Sequence, residues 1–105
     1  MAIDICKTNR ASSESEFVPI CSADQYRALW RPAIAELNLP MLDCLPALEV
    51  TSAFKDQFLS ELRQLRSWAS SQQEAAHIQT MLEALDMIRS TVETTDLNDY
   101  EITFG

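Results

Sequence analysis

A single glycine, Gly105 at the carboxyl end, serves all 105 residues. Without glycines elsewhere the backbone cannot be drawn tightly around a phosphate, so phosphate-loop and dinucleotide-binding folds are excluded. Histidine is as scarce, with His77 alone. Basic side chains are also few, 8 against 16 acidic ones, for a net charge of -8. A protein that grips DNA or RNA needs a basic face from which counterions are released, so no nucleic acid partner is expected. No apolar run approaches the roughly 20 residues of a membrane span. The opening Met1-Ala2-Ile3-Asp4-Ile5-Cys6-Lys7 places an acid where a secretion signal is basic and then apolar. The expectation is a cytoplasmic chain with no membrane contact.

Cysteine is sparse and odd in number. Cys6, Cys21 and Cys44 match neither a disulfide framework nor a zinc knuckle in their spacing. Each has apolar neighbours in sequence, so all three are expected to be reduced and packed as small hydrophobes. No cofactor motif is present.

Against these absences stand 47% hydrophobic and 23% charged residues. That balance fits one globular domain over 1–105, and a chain of this size buries roughly two thirds of its unfolded surface without a metal or disulfide. Ile3 and Ile5 alternate with Asp4 and Cys6, which predicts a short strand over Ala2 to Lys7. The polar stretch Ala11 to Glu16 reads as an exposed loop. Phe17-Val18-Pro19-Ile20-Cys21 reads as an edge strand, because Pro19 lacks a backbone donor.

Ser22 and Gln25 have the spacing of a capping box. The helix that follows sets Tyr26, Leu29, Trp30, Ala33, Ile34 and Leu37 on one face. Pro32 interrupts it, predicting a kink near Ala28 to Arg31 or two short helices sharing that face. Asn38-Leu39-Pro40 and Leu45-Pro46 break the chain around one short helical turn at Met41 to Leu45. Thr51 or Ser52 is placed to cap the next helix, with Phe54, Phe58, Leu62, Leu65 and Ala69 inward and Trp68 widening the stripe. Lys55, Asp56, Gln57, Glu61, Arg63, Gln64 and Arg66 read as its solvated face.

After the polar break Ser70 to Gln73, a last helix carries Ala75, Ile78, Leu82, Leu85, Ile88 and Val92, with Met81 beside them. Two amphipathic helices so closely joined should pack antiparallel. Tyr100-Glu101-Ile102-Thr103-Phe104 alternates as a terminal strand with Tyr100, Ile102 and Phe104 inward. The expected class is α+β. A small, mostly antiparallel sheet of two or three short strands from both chain ends is covered on one side by three or four helices, including an antiparallel pair.

Chemistry-bearing constellations are thin. His77 is the one residue of a type whose unperturbed pKa lies near neutrality, yet its neighbours are polar and a surface or boundary position is the simpler account. Glu83 with Asp86 and Asp96 with Asp99 are spaced like ordinary surface carboxylates. Asp96-Leu97-Asn98-Asp99 has oxygens for calcium but no turn glycine and no closing glutamate. The aromatic residues, Phe17 among them, fall mostly on inward faces. Charge is more informative. Between Glu83 and Glu101 there are six acids, Glu83, Asp86, Glu93, Asp96, Asp99 and Glu101, against Arg89 alone, a net -5. Such a patch either keeps a protein soluble or speeds encounter with a basic partner.

The phrase Glu61-Leu62-Arg63-Gln64-Leu65-Arg66-Ser67-Trp68 in a helix pair, and the closing Asp99-Tyr100-Glu101-Ile102-Thr103-Phe104-Gly105, give the chain its texture. Together with the short opening strand and the acidity, it resembles the small immunity proteins of bacterial polymorphic-toxin and contact-dependent inhibition systems. That resemblance implies a non-enzymatic protein that occludes a basic toxin domain without turnover. The contact residues expected on it are Glu93, Asp96, Asp99 and Glu101, with Asp86 at the margin. Two other readings stand beside it. One is a self-associating adaptor, a homodimer through the helix pair and Trp68; the other is a small enzyme working through His77 or a cysteine.

Overall fold

The computed structural model describes residues 2–45, 47–72 and 75–105, with the backbone alone at 2 and 75–77. The fold is α+β around a four-stranded antiparallel sheet. Its strands are β1 (Ala2–Asn9), β2 (Ser15–Ser22), β3 (Leu48–Val50) and β4 (Tyr100–Phe104), in the order β2-β1-β4-β3. The sheet thus has one strand more than expected, and the extra one comes from mid-chain. β3 has only three residues, too few for an alternation to show in the sequence. The last strand lies between the first and β3, so its backbone groups are paired on both sides.

β1 and β2 turn at residues 10–14. The Asn9 side chain accepts the N–H groups of Ala11 (2.9 Å) and Ser12 (3.1 Å), and Ser13 takes a left-handed φ of 62°. The β1–β2 register slips by one residue. Ile3 faces Cys21 and Asp4 faces Pro19, which leaves Ile20 as a bulge. The bulge directs both Ile20 and Cys21 toward the core side, where Ile20 is buried and Cys21 half-buried.

Ser22 and Gln25 form the expected capping box, with the Ser22 hydroxyl accepting the Gln25 N–H at 3.1 Å. One helical run then passes through α1 (Ala23–Gln25), a π turn (Tyr26–Trp30) and α2 (Arg31–Leu37). The π turn resolves the proline problem: the backbone widens just before Pro32, with the Arg31 N–H reaching back to the Tyr26 carbonyl. Asn38, at φ 54°, ends α2 and lets the Leu39 N–H return to the Ile34 carbonyl at 3.2 Å. A 3-10 turn, Leu42–Cys44, follows.

α3 (Lys55–Ser70) and α4 (Ala75–Thr94) are the long helices. Neither Thr51 nor Ser52 caps α3. Residues 51–54 form a turn closed by the Phe54 N–H on the Thr51 carbonyl (3.1 Å), so the helix begins one turn later than expected. Phe54 becomes its N-cap residue and is 52% exposed. Leu59 and Arg63 of α3 line the same groove as Glu93 and Arg89 of α4, and the Arg66 guanidinium grips Asp86 at 2.7 and 3.3 Å.

The core joins Ile3, Ile5, Val50, Ile102 and Phe104 of the sheet to Trp30, Ile34, Phe58, Leu65, Leu85 and Ile88 of the helices. Phe58 and Phe104 meet at 5.6 Å between ring centroids. On α4 the buried stripe is Ile78, Met81, Ala84, Leu85, Ile88 and Val92, and Leu82 lies half-buried at its edge.

Glu61 is buried at 3% exposure, not on the solvated face where its charge had placed it. One carboxylate oxygen accepts the backbone N–H groups of Met41 (2.9 Å) and Leu42 (3.0 Å), and the other accepts Gln57 Nε2 at 3.0 Å. The side chain thereby fastens the 3-10 turn to α3. Among the described residues no helix is long and apolar enough to cross a membrane.

Candidate functional site

Three of the five carboxylates singled out from the sequence, Glu93, Asp96 and Asp99, gather where α4 hands over to β4, and the other two do not. Asp86 lies at mid-helix, engaged by Arg66, whose hydrogen bond holds its carboxyl below the usual range. Past the end of α4, Asp96 Oδ1 accepts the Asn98 N–H at 2.9 Å, and the Asp96 carbonyl accepts those of Asp99 (3.1 Å) and Tyr100 (2.9 Å). This turn points the chain into β4. Arg10 reinforces it from the β1–β2 loop, donating its backbone N–H to the Asp99 carbonyl (2.9 Å) and Nε to the Leu97 carbonyl (3.3 Å).

Two open depressions of about 430 Å³ each meet at Asn98. Glu93 and Asp96 line the first with Lys55, and Asp99 lines the second with Arg10 and Tyr100. Glu101, one residue into β4, points instead to the face of the sheet opposite the core.

That face is laid out by register, because cross-strand partners share a side. One row crosses all four strands, from Phe17 through Cys6 and Thr103 to Glu49. A second row runs Ser15, Thr8, Glu101, with the Thr8 and Ser15 hydroxyls 2.9 Å apart. A third holds Pro19 and Asp4. All of these side chains are half or fully exposed. Phe17 stands out at 67% exposure, against the inward position expected of it.

Glu49 and Glu101 are diagonal neighbours here. A hydrogen bond from Glu101, then some loss of hydration beside it and the Glu101 charge, push the Glu49 carboxyl above its ordinary range, while Arg10 pulls the other way. Two carboxylates therefore crowd each other at the sheet surface.

The remaining sequence candidates do not converge on chemistry. Cys21 alone of the three cysteines packs against the core, and burial followed by the Asp4 charge pushes its thiol up to about 11. Cys6 lies on the open face and Cys44 is exposed, so the expectation of packed thiols fails for both. Their apolar neighbours in sequence turn to the core while the thiols turn away. The His77 side chain lies outside the described residues. Among the described residues, no group of three or more His, Cys, Asp or Glu is placed to hold a metal ion.

Sequence reasoning missed Glu61 and Phe17, and it set Phe54 inward where the ring, lying just ahead of α3, is exposed. For Glu61 the signal was spacing, since position 61 falls three after Phe58 and four before Leu65, inside the apolar stripe. For Phe17 both parities of β2 are apolar, and the Ile20 bulge reverses parity midway, so alternation could not choose a face.

Comparison with known proteins found no matching family model, no matching curated protein and no matching solved structure.

Proposed function

We propose that this chain is a non-enzymatic binding protein, an immunity protein that occludes a basic toxin domain through its acidic surface. The supporting observation is electrostatic. Among the described residues the ion pairs are Arg27 with Asp24 and Arg66 with Asp86, so Glu93, Asp96, Asp99 and Glu101 carry no ion pair there. Carboxylates without an ion-pair partner, at this corner and on the adjoining sheet face, accelerate docking to a cationic surface and select for it. In this reading Glu93, Asp96, Asp99 and Glu101 meet the partner and Asp86 stays at the margin. Helices α3 and α4, taken as an antiparallel pair behind the sheet, act as the rigid support.

The test is affinity capture from lysate of the source organism at low and moderate salt, comparing the wild-type chain with an Asp99→Lys, Glu101→Lys variant. One basic protein retained near one-to-one by the wild type, and lost with the variant or with salt, is the expected result. Equal retention by both chains would remove the acidic corner from the interface.

A second reading, a self-associating adaptor, draws on Met87, 43% exposed on α4, and on half-buried Trp68. Light scattering across a concentration series separates the two, because the immunity reading needs no second copy.

A further inference from the structure

We propose that the open face of the sheet, centred on Phe17, is the surface that seats the basic partner, with the aromatic ring as its apolar anchor. This inference rests on the reading of a basic protein partner and gives it a place: the contact is centred on β1, β2 and β4, and the α4–β4 corner becomes its rim.

The geometry is that of an anchor inside a charged frame. Phe17, 67% exposed, has Cys6 directly across on β1 and Pro19 two residues along its own strand. These make a small apolar centre in a sheet face that otherwise follows the polar-outward pattern of an antiparallel sheet. An exposed aromatic with an apolar surround, edged by polar groups, is the arrangement that carries most of the energy in protein interfaces. Around it stand Asp4, Glu49 and Glu101; the positions of the three rows include no lysine or arginine, and Arg10, the cation that acts on Glu49 from the β1–β2 loop, gives its Nε to the Leu97 carbonyl. With adjacent strands about 4.8 Å apart, Phe17 and Glu49 are separated by three spacings, roughly 14 Å, so one folded partner surface can reach both. Arg10 offsets the crowding of Glu49 against Glu101 only in part, and a partner's guanidinium or ammonium placed between them relieves the rest.

Charge complementarity selects the occupant. A second copy would bring one acidic face against another, with no lysine or arginine in the rows to answer its carboxylates. Strand addition at the sheet edges is also poorly served. β2 carries Pro19 and the Ile20 bulge, and β3 offers only three residues. The partner this face fits is a folded protein surface rich in arginine or lysine, with an apolar recess for the ring.

The test uses the full chain, labelled with nitrogen-15 and titrated at low salt with a short capped peptide of alternating arginine and leucine. The backbone amides of Cys6, Phe17 and Thr103 should shift most. Phe17→Ser should weaken binding about tenfold, as loss of an interface anchor does. Glu49→Gln with Glu101→Gln should weaken it several-fold, whereas Asp56→Asn with Glu83→Gln, which removes the same charge from the helices, should not. Phe17 is exposed, so Phe17→Ser should melt with the wild type and any loss is a binding loss. Shifts centred on Asp96 and Asp99, with Phe17→Ser binding normally, would overturn this placement and leave the basic-partner reading standing. Shifts scattered over every acidic residue, with both double variants weakened alike, would overturn it as diffuse attraction. Absence of saturable binding would overturn the placement and count against the basic partner as well.

Discussion

Replacing Glu61 with alanine tests the most specific polar device in the fold. Its carboxylate fastens the 3-10 turn through the Met41 and Leu42 N–H groups at 2.9 and 3.0 Å, in a site where Glu61 is 3% and Leu42 1% exposed. A buried donor stripped of its acceptor costs about 1–3 kcal/mol. Leu42 has no route to water and takes about 2 kcal/mol of that, whereas half-buried Met41 can hydrate and takes about 1. Alanine also has no charge to desolvate, which offsets part of the loss, so the net cost is about 2–3 kcal/mol. At about 4 °C per kcal/mol for a domain near this size, Tm falls by roughly 10 °C. Glu61→Gln keeps one oxygen for both backbone donors but loses the charge and sets its amide against Gln57 Nε2, and should cost about 1–2 kcal/mol, less than alanine. Urea melts followed by circular dichroism, with amide exchange at Met41 and Leu42, read both effects. Glu61→Ala within about 0.5 kcal/mol of wild type, or with those two amides exchanging no faster, would refute the role assigned to the carboxylate.

Four further outcomes follow. Phe58→Ala empties a fully buried site that also contacts the Phe104 ring, and should cost about 3–5 kcal/mol in the same melts; a smaller loss would show that the core collapses around it. Asp86→Asn removes a pair whose side chains are 42% and 43% exposed, so Tm should move by no more than about 2 °C, and a larger drop would make the pair structural. The Glu49 carboxyl, raised in the folded state, contributes stability that is present below its unfolded value and is lost as pH rises through its folded value. Glu101→Gln should therefore raise Tm at neutral pH and return the Glu49 carbon-13 titration toward an ordinary glutamate midpoint; an unchanged midpoint would dissolve the proposed crowding. Asp99→Lys should leave Tm nearly unchanged, because Asp99 acts in the fold through its backbone, whereas Asp96→Lys should lower it through loss of the 2.9 Å bond to Asn98 and Asp96→Asn should restore it. Equal melting of the two lysine variants would contradict that division.

The elements that could be read from the chain are those whose pattern has one meaning. The α4 stripe, the Ser22 and Gln25 box and the alternation of β4 each agree with the observed structure, because long periodic segments and short reciprocal caps leave little for tertiary contacts to override. Pro32 announced a disturbance, and the π turn at Tyr26–Trp30 is the form it takes. The failures have separate physical causes. β3 was too short to alternate. β2 was apolar on both parities, and its bulge hid the outward turn of Phe17. Glu61 was read by its charge when its spacing placed it in the core stripe.

The acidic site was legible as a count of charges but not as a surface. Sequence adjacency grouped Asp86 with Asp99, while the fold gives Asp86 to Arg66 and sets Glu101 beside Glu49, a residue far away in the chain. Strand order made that second neighbourhood, and no local pattern encodes strand order.

The measurement that tests the central claim most directly is an isothermal titration of the chain against the basic protein it retains, at two salt concentrations, with wild type and the Asp99→Lys, Glu101→Lys variant side by side. One-to-one binding that weakens with salt and weakens further, by tenfold or more, in the variant is the predicted result. Binding that is indifferent to salt and to both substitutions would contradict the claim and leave the acidic surface as a means of keeping the protein in solution.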